Sequence, residues 1–125
     1  MIRQAGPEDM GYLLGIAKRA HVHAGFGGFD IECAKGVIGA SRCFVGKGGL
    51  AGMEVPGVSS PEPALNHVVF WDSDGDAWAL LAAHEAASPL PSSLSIPAQH
   101  GRSRGLKKAL LARGYQELET LMVKT

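Results

Sequence analysis

Val68-Val69-Phe70-Trp71-Asp72-Ser73-Asp74-Gly75-Asp76-Ala77-Trp78-Ala79-Leu80-Leu81 is the stretch on which the fold turns. Its four consecutive apolar residues read as a strand covered on both faces. Asp72 to Asp76 break the run. From Ala77 to Ala87 the period lengthens, with Trp78, Leu81 and Glu85 three and four apart, the spacing of a helix. Strand, acidic glycine-bearing loop and helix therefore follow one another directly.

Upstream, the strand extends back to Leu65. Cys43-Phe44-Val45 and Leu50 to Val55 read as a hairpin across Gly46 to Gly49, with Lys47-Gly48-Gly49 supplying turn residues. Pro56 to Pro63 reads as a loop. Ile2 to Gln4 is a short strand candidate. Pro7, Glu8 and Asp9 suit the first turn of a helix, the acids at its positive end. Met10, Leu13, Leu14, Ala17 and His21 continue that helix. Gly25 to Gly28, with Phe26 inside, break it. Asp30 is placed to cap a second helix that holds Ile31, Ala34, Val37 and Ile38.

Downstream, Ser88 to Ser93 carries Pro89 and Pro91 and reads as a loop. Leu94 to Ile96 is a short strand candidate. A last helix begins near Gly101, with Leu106, Ala109 and Leu110 on its apolar side and Gly114 as its stop. Glu117 to Lys124 reads as a closing strand. The order β-α-α-β-β-β-α-β-α-β predicts one domain over residues 1–125, an α/β or α+β fold with a mixed sheet.

The 125 residues balance 12 Lys and Arg against 12 Asp and Glu. A zero net charge argues against coating nucleic acid by bulk charge. No apolar run approaches the ~20 residues that a membrane span needs. Met1 to Met10 lacks the pattern of a signal peptide, so the expected location is the cytoplasm. Cys33 and Cys43 are expected as free thiols of a reducing compartment.

Three pieces resemble the GCN5-related N-acetyltransferase (GNAT) family. Ile2 to Asp9 looks like its first strand and helix start. Val68 to Ala87 looks like its acetyl-CoA site. Leu106 to Tyr115 looks like its last helix running into a glycine-aromatic pair. The resemblance implies a single-domain acyl-CoA N-acyltransferase fold and transfer of acetyl from acetyl-CoA to an amine. In that alignment Gly75 and Ala77 stand on the family's phosphate loop, whose N–H groups at a helix N-terminus cradle a pyrophosphate. Val69, Phe70 and Trp71 would align the pantetheine, and Asp72, Asp76, Trp78 and Ser103 would border the cofactor. Glu54 and His67 are the candidates to take the proton of the attacking ammonium.

The motif is degenerate. Asp72 stands at the family's Gln/Arg position, and Asp74 and Asp76 share its loop. A carboxylate ~4 Å from a phosphate is repelled by about 1–4 kcal/mol at effective dielectrics of 80 to 20. Leu110 stands where the family often places a Tyr as general acid. An alternative is therefore a non-catalytic module of the same fold, such as a small virus-encoded or regulatory protein, that has lost CoA binding. A minor alternative reads Asp72-Ser73-Asp74-Gly75 as the DxDG motif of haloacid-dehalogenase phosphatases. No metal-ligand set stands out.

Expected partners are a small-molecule or peptide amine, a second copy of the chain, and a protein meeting the basic helix Arg102 to Arg113. Membrane and nucleic acid are not expected.

Overall fold

The computed structural model describes residues 2–23, 28–57, 60–71, 75–94 and 103–117. Strand β1 (Arg3–Gln4) leads through a 3-10 turn (Pro7–Asp9) into α1 (Met10–His23). Then come α2 (Ile31–Ala40), β2 (Arg42–Gly46), β3 (Gly48–Gly57), β4 (Ser60–Trp71), α3 (Ala77–Ala86), β5 (Ser92–Leu94) and α4 (Ser103–Ala112). The order is the expected one as far as α4. The predicted closing strand lies, apart from Glu117, outside the described residues.

Local chemistry explains most of the boundaries. The Asp9 carboxylate accepts the Gly6 N–H at 2.8 Å, which fastens the start of α1. Asp30 caps α2 by accepting the Cys33 N–H at 3.0 Å. Gly114, at φ +94, ends α4. Its N–H reaches the Leu111 carbonyl at 3.1 Å, and the Tyr115 N–H reaches that of Leu110 at 3.0 Å. Those two bonds are a Schellman motif.

The five strands lie in the sheet in chain order, β1-β2-β3-β4-β5. The first three pairings are antiparallel, and β4 with β5 is parallel. Alternation along the strands sends side chains to two layers of helices. On one face Cys43, Val45, Ala51 and Trp71 pack with Leu13, Ile16 and Ala17 of α1 and Ile38 of α2. On the other, Leu50 and Val68 pack with Leu80 and Leu81 of α3 and Leu110 of α4. The result is a three-layer α+β domain. No helix among the described residues is long and apolar enough to cross a membrane.

Three expectations need correction. Of the stretch Pro56 to Pro63, read as a loop, the described residues 56–57 and 60–63 belong to the strands β3 and β4. Pro56 pairs with Pro63 and Gly57 with Ser60, after register shifts on both sides of Pro56. Proline lacks the ladder N–H, and a bulge is where a strand tolerates it. The run Val68 to Trp71 is not covered on both faces throughout, since Val69 is 40% exposed. Its neighbours Val68 and Trp71 are buried on opposite sides. Finally, α3 buries Leu80, Leu81 and His84, while Trp78 stays at the surface. The helix is apolar almost all round, so its spacing does not single out one face.

The meander also rules out the phosphatase reading. That chemistry requires a long parallel sheet around its motif, and among the described residues only β4 and β5 run parallel.

Candidate functional site

The strand-loop-helix stretch places β4, Gly75 and the start of α3 together. Gly75 has φ +111, and a Cβ there would meet nothing within 4 Å. Glycine is thus required by the backbone turn alone, not by crowding. Asp72, Ser73 and Asp74 lie outside the described residues.

Asp76 stands at the N-cap of α3 but makes no side-chain cap hydrogen bond. Its Oδ2 instead accepts the Lys47 N–H at 2.7 Å, in the turn between β2 and β3. A Cβ on Gly46 would lie 2.6 Å from that oxygen, so glycine is what lets the carboxylate in. Asp76 is drawn sideways onto the sheet, and its side chain leaves the first-turn amides of α3 uncapped. Such amides, with the helix dipole behind them, favour an anion.

Beside this start, Trp78 is 37% exposed. The Arg113 guanidinium stacks on it, 5.1 Å from the ring centroid. Glu85 joins α3 to the end of α4. It accepts Arg113 at 3.4 Å and the Tyr115 hydroxyl at 3.0 Å. Burial, then Glu85, push the Tyr115 hydroxyl up to about 12. Lys107 pairs with Glu117 at 2.7 Å. Two cations of the predicted basic cluster are therefore already in ion pairs.

Val69, Phe70 and Trp71 form the end of β4. The parallel pairing with β5 covers Asn66, His67 and Val68, and the described part of β5 stops at Leu94. Ala77 opens α3, and Ser103 opens α4. The side chains of Phe70 and Ser103 lie outside the described residues.

The two proton-acceptor candidates are near in the sheet but do not share a face. Glu54 pairs with Asn66, and Met53 pairs with His67. One residue of offset turns side chains to opposite sides. Each candidate is held by a serine from the segment after α3. Ser88 Oγ donates to Glu54 Oε1 at 3.1 Å. His67 Nδ1 lies 2.9 Å from Ser93 Oγ.

Beneath Gly52 lies a polar pair that the sequence reading missed. His84 and Asn66 are both fully buried. His84 Nε2–H donates to the Asn66 carbonyl at 3.4 Å, and Asn66 Nδ2 donates to the His84 carbonyl at 3.4 Å. Asn66 Oδ1 and His84 Nδ1 have no partner among the described residues. A Cβ on Gly52 would overlap the His84 ring. A lone glycine inside an alternating strand was the available signal for such a close approach.

Over its whole length the chain is similar to the crystal structure of a predicted acetyltransferase with acetyl-CoA from Clostridium acetobutylicum. The superposition has a TM-score of 0.70, covers 100% of this chain and 95% of that one, and carries 12% identity. The two chains share a fold. No family model matches the sequence, and no curated protein does.

Proposed function

We propose that this protein is an N-acetyltransferase that moves the acetyl group of acetyl-CoA to an amine. The observation that carries the reading is the start of α3, where Asp76 is turned onto Lys47 N–H and leaves the first amides without a side-chain cap. Its setting, after β4 in a fold shared with the crystal structure of a predicted acetyltransferase with acetyl-CoA, supports the same reading.

In this mechanism Gly75 and the amides of Ala77 and Trp78 hold the pyrophosphate, and the backbone of Val69 to Trp71 aligns the pantetheine. Glu54 or His67 takes a proton from the bound ammonium. The freed amine attacks the thioester carbonyl and forms the N–C bond, the C–S bond breaks, the nitrogen gives up a second proton to water as the amide forms, and the CoA sulfur leaves with its electron pair and takes a proton from water. The location that suits this substrate is the cytoplasm. A second copy, or a protein on the α4 face, would be a further partner.

A second reading has one observation behind it. Leu110, at the position where the resembling family often carries an acidic Tyr, is buried among Leu50, Val68, Leu80 and Leu81. A non-catalytic module of this fold needs no hydroxyl there.

Calorimetric titration with acetyl-CoA and CoA at low and moderate salt separates the two. Micromolar dissociation constants, weakened at least ~10-fold by Gly75→Val at its positive φ, are expected of the enzyme. No binding up to millimolar ligand overturns it.

A further inference from the structure

A cavity of ≈390 Å³ opens where the start of α1 faces the turn between β2 and β3, lined by Arg3, Asp9, Tyr12, Val45, Gly46 and Lys47. That volume is within the usual range of ligand pockets, about 300–1,000 Å³. We infer that the cavity binds an adenine nucleotide, with a phosphate on Arg3 and the base against the Tyr12 ring. The choice of nucleotide rests on the acetyltransferase reading, and the cavity itself does not.

Arg3 has more N–H donors than it uses. Nη1 gives one to Asp9 Oδ2 at 2.8 Å and the other to the Gln4 carbonyl at 3.5 Å. Nη2 gives one to Asp9 Oδ1 at 2.7 Å. Its second N–H and the Nε–H have no partner among the described residues. These two lie along one side of the guanidinium plane, a fork that grips an oxyanion bidentately. Asp9 is nearly buried and also takes the Gly6 N–H at 2.8 Å. Its carboxylate therefore fixes the fork without occupying it, and its charge is already met.

The Tyr12 side chain is 46% exposed, yet it is tied at its far end. Its hydroxyl donates to the Gly46 carbonyl at 3.1 Å and accepts the Gly48 N–H at 2.9 Å. Held by α1 at one end and by the turn at the other, the ring is a fixed wall. Stacking a flat ring on it costs little side-chain entropy. Val45, which pairs with Arg3 across β1 and β2, is buried and gives the cavity an apolar floor.

An oriented fork and a fixed aromatic wall in one cavity suit a ligand that carries both an oxyanion and a flat ring. Inorganic phosphate leaves the wall bare, and a nucleoside leaves the fork unmatched. The neighbouring element favours a nucleotide. At the rim of the cavity the Lys47 N–H meets Asp76 Oδ2, at the start of α3. The cavity thus adjoins the amides proposed for the pyrophosphate. A CoA seated on those amides would carry its 3′-phosphate and adenine toward Arg3 and Tyr12.

The test titrates the full chain with adenosine 3′,5′-bisphosphate and with adenosine, following the amide signals of Arg3, Tyr12 and Gly46 by NMR. The bisphosphate is expected to move all three signals and to bind at least about tenfold more tightly than adenosine. Arg3→Gln should remove that preference, and Arg3→Lys should not restore it, since an ammonium has no fork. Tyr12→Leu should weaken both probes alike. Equal binding of the two probes, or silence at Arg3, Tyr12 and Gly46, overturns the inference whether or not any variant folds. A parallel pair, CoA and 3′-dephospho-CoA, identifies the source. A preference for CoA that Arg3→Gln abolishes assigns the cavity to the cofactor's own nucleotide end, and equal binding of that pair assigns it to a separate nucleotide. Bisphosphate binding without acetyl-CoA binding keeps the cavity and removes the transferase. Acetyl-CoA binding with a silent cavity does the opposite.

Discussion

Two polar pairs sit at different depths and are solved differently. At the rim, Asp9 is 8% exposed and takes both guanidinium nitrogens of Arg3, at 2.8 and 2.7 Å, along with the Gly6 N–H. Its carboxyl is held down at about 2, first by the Arg3 hydrogen bond and then by Gly6. In the interior, His84 and Asn66 have no solvent access and two atoms without partners among the described residues. Burial pushes the His84 imidazole below its usual 6.5. A charge is tolerated where a partner and water both reach it. Deeper in, the imidazole is kept neutral and in place by shape, with Gly52 leaving the space.

The largest expected break in this contrast is Gly52→Ala. The new Cβ overlaps a ring that cannot retreat, and overpacking of that kind costs about 1–3 kcal/mol. We expect a loss near the top of that range by urea denaturation. A loss under about 0.5 kcal/mol would show that His84 is not pinned.

Next comes His84→Leu. It deletes an imidazole nitrogen whose unmade hydrogen bond costs about 1–3 kcal/mol, while giving up some fit and a long bond to the Asn66 carbonyl. The two effects oppose, and the net change should stay within about 1 kcal/mol. A loss above 2 kcal/mol would mean that the Nδ1 atom does find a partner.

Smaller effects come from pH, and the two pairs act in separate windows. His84 has a lowered folded value, so the unfolded chain takes up the proton first. Its contribution is complete above about 6.5 and falls as the pH drops below that. Asp9 is also lowered, so its contribution is complete above its usual 3.8 and is lost as the pH falls toward 2. Melting temperatures from pH 8 to 2 should show an upper decline that His84→Leu flattens. They should also show a lower one that Asp9→Asn flattens. The lower decline should be the weaker, because Arg3 is half exposed and water screens the pair. A lower decline that survives Asp9→Asn would shift its cause to other carboxylates.

The sequence disclosed whatever its neighbours decide. Asp30 caps α2 three residues ahead of its target amide, and Gly114 turns the chain at the end of α4. The hairpin strands and the β4–α3 step follow from runs of a few residues. Hidden were the facts set by distant partners. Asp76 meets Lys47, 29 residues away, so its direction could not be read from the acidic loop. Glu54 and His67 looked like alternatives for one task until the register put them on opposite faces. Pro56 and Pro63 spoke for a loop, since bulged pairing of two prolines leaves no local trace. His84 lies on a helix apolar nearly all round, where burial and half-burial give the same pattern.

The strand order has a consequence for how the chain comes together. Since β2, β3 and β4 are contiguous in sequence and adjacent in the sheet, their pairing closes only short loops. β1 must span two helices to reach β2, and β5 must wait for α3 to cross over before it can lie parallel to β4. Low sequence separation favours early contact. Refolding should therefore begin with the meander from Arg42 to Trp71. Its amides, Leu50 and Val68 foremost, should resist exchange first in a pulse-labelling experiment, with Ser92 to Leu94 protected last among the strands.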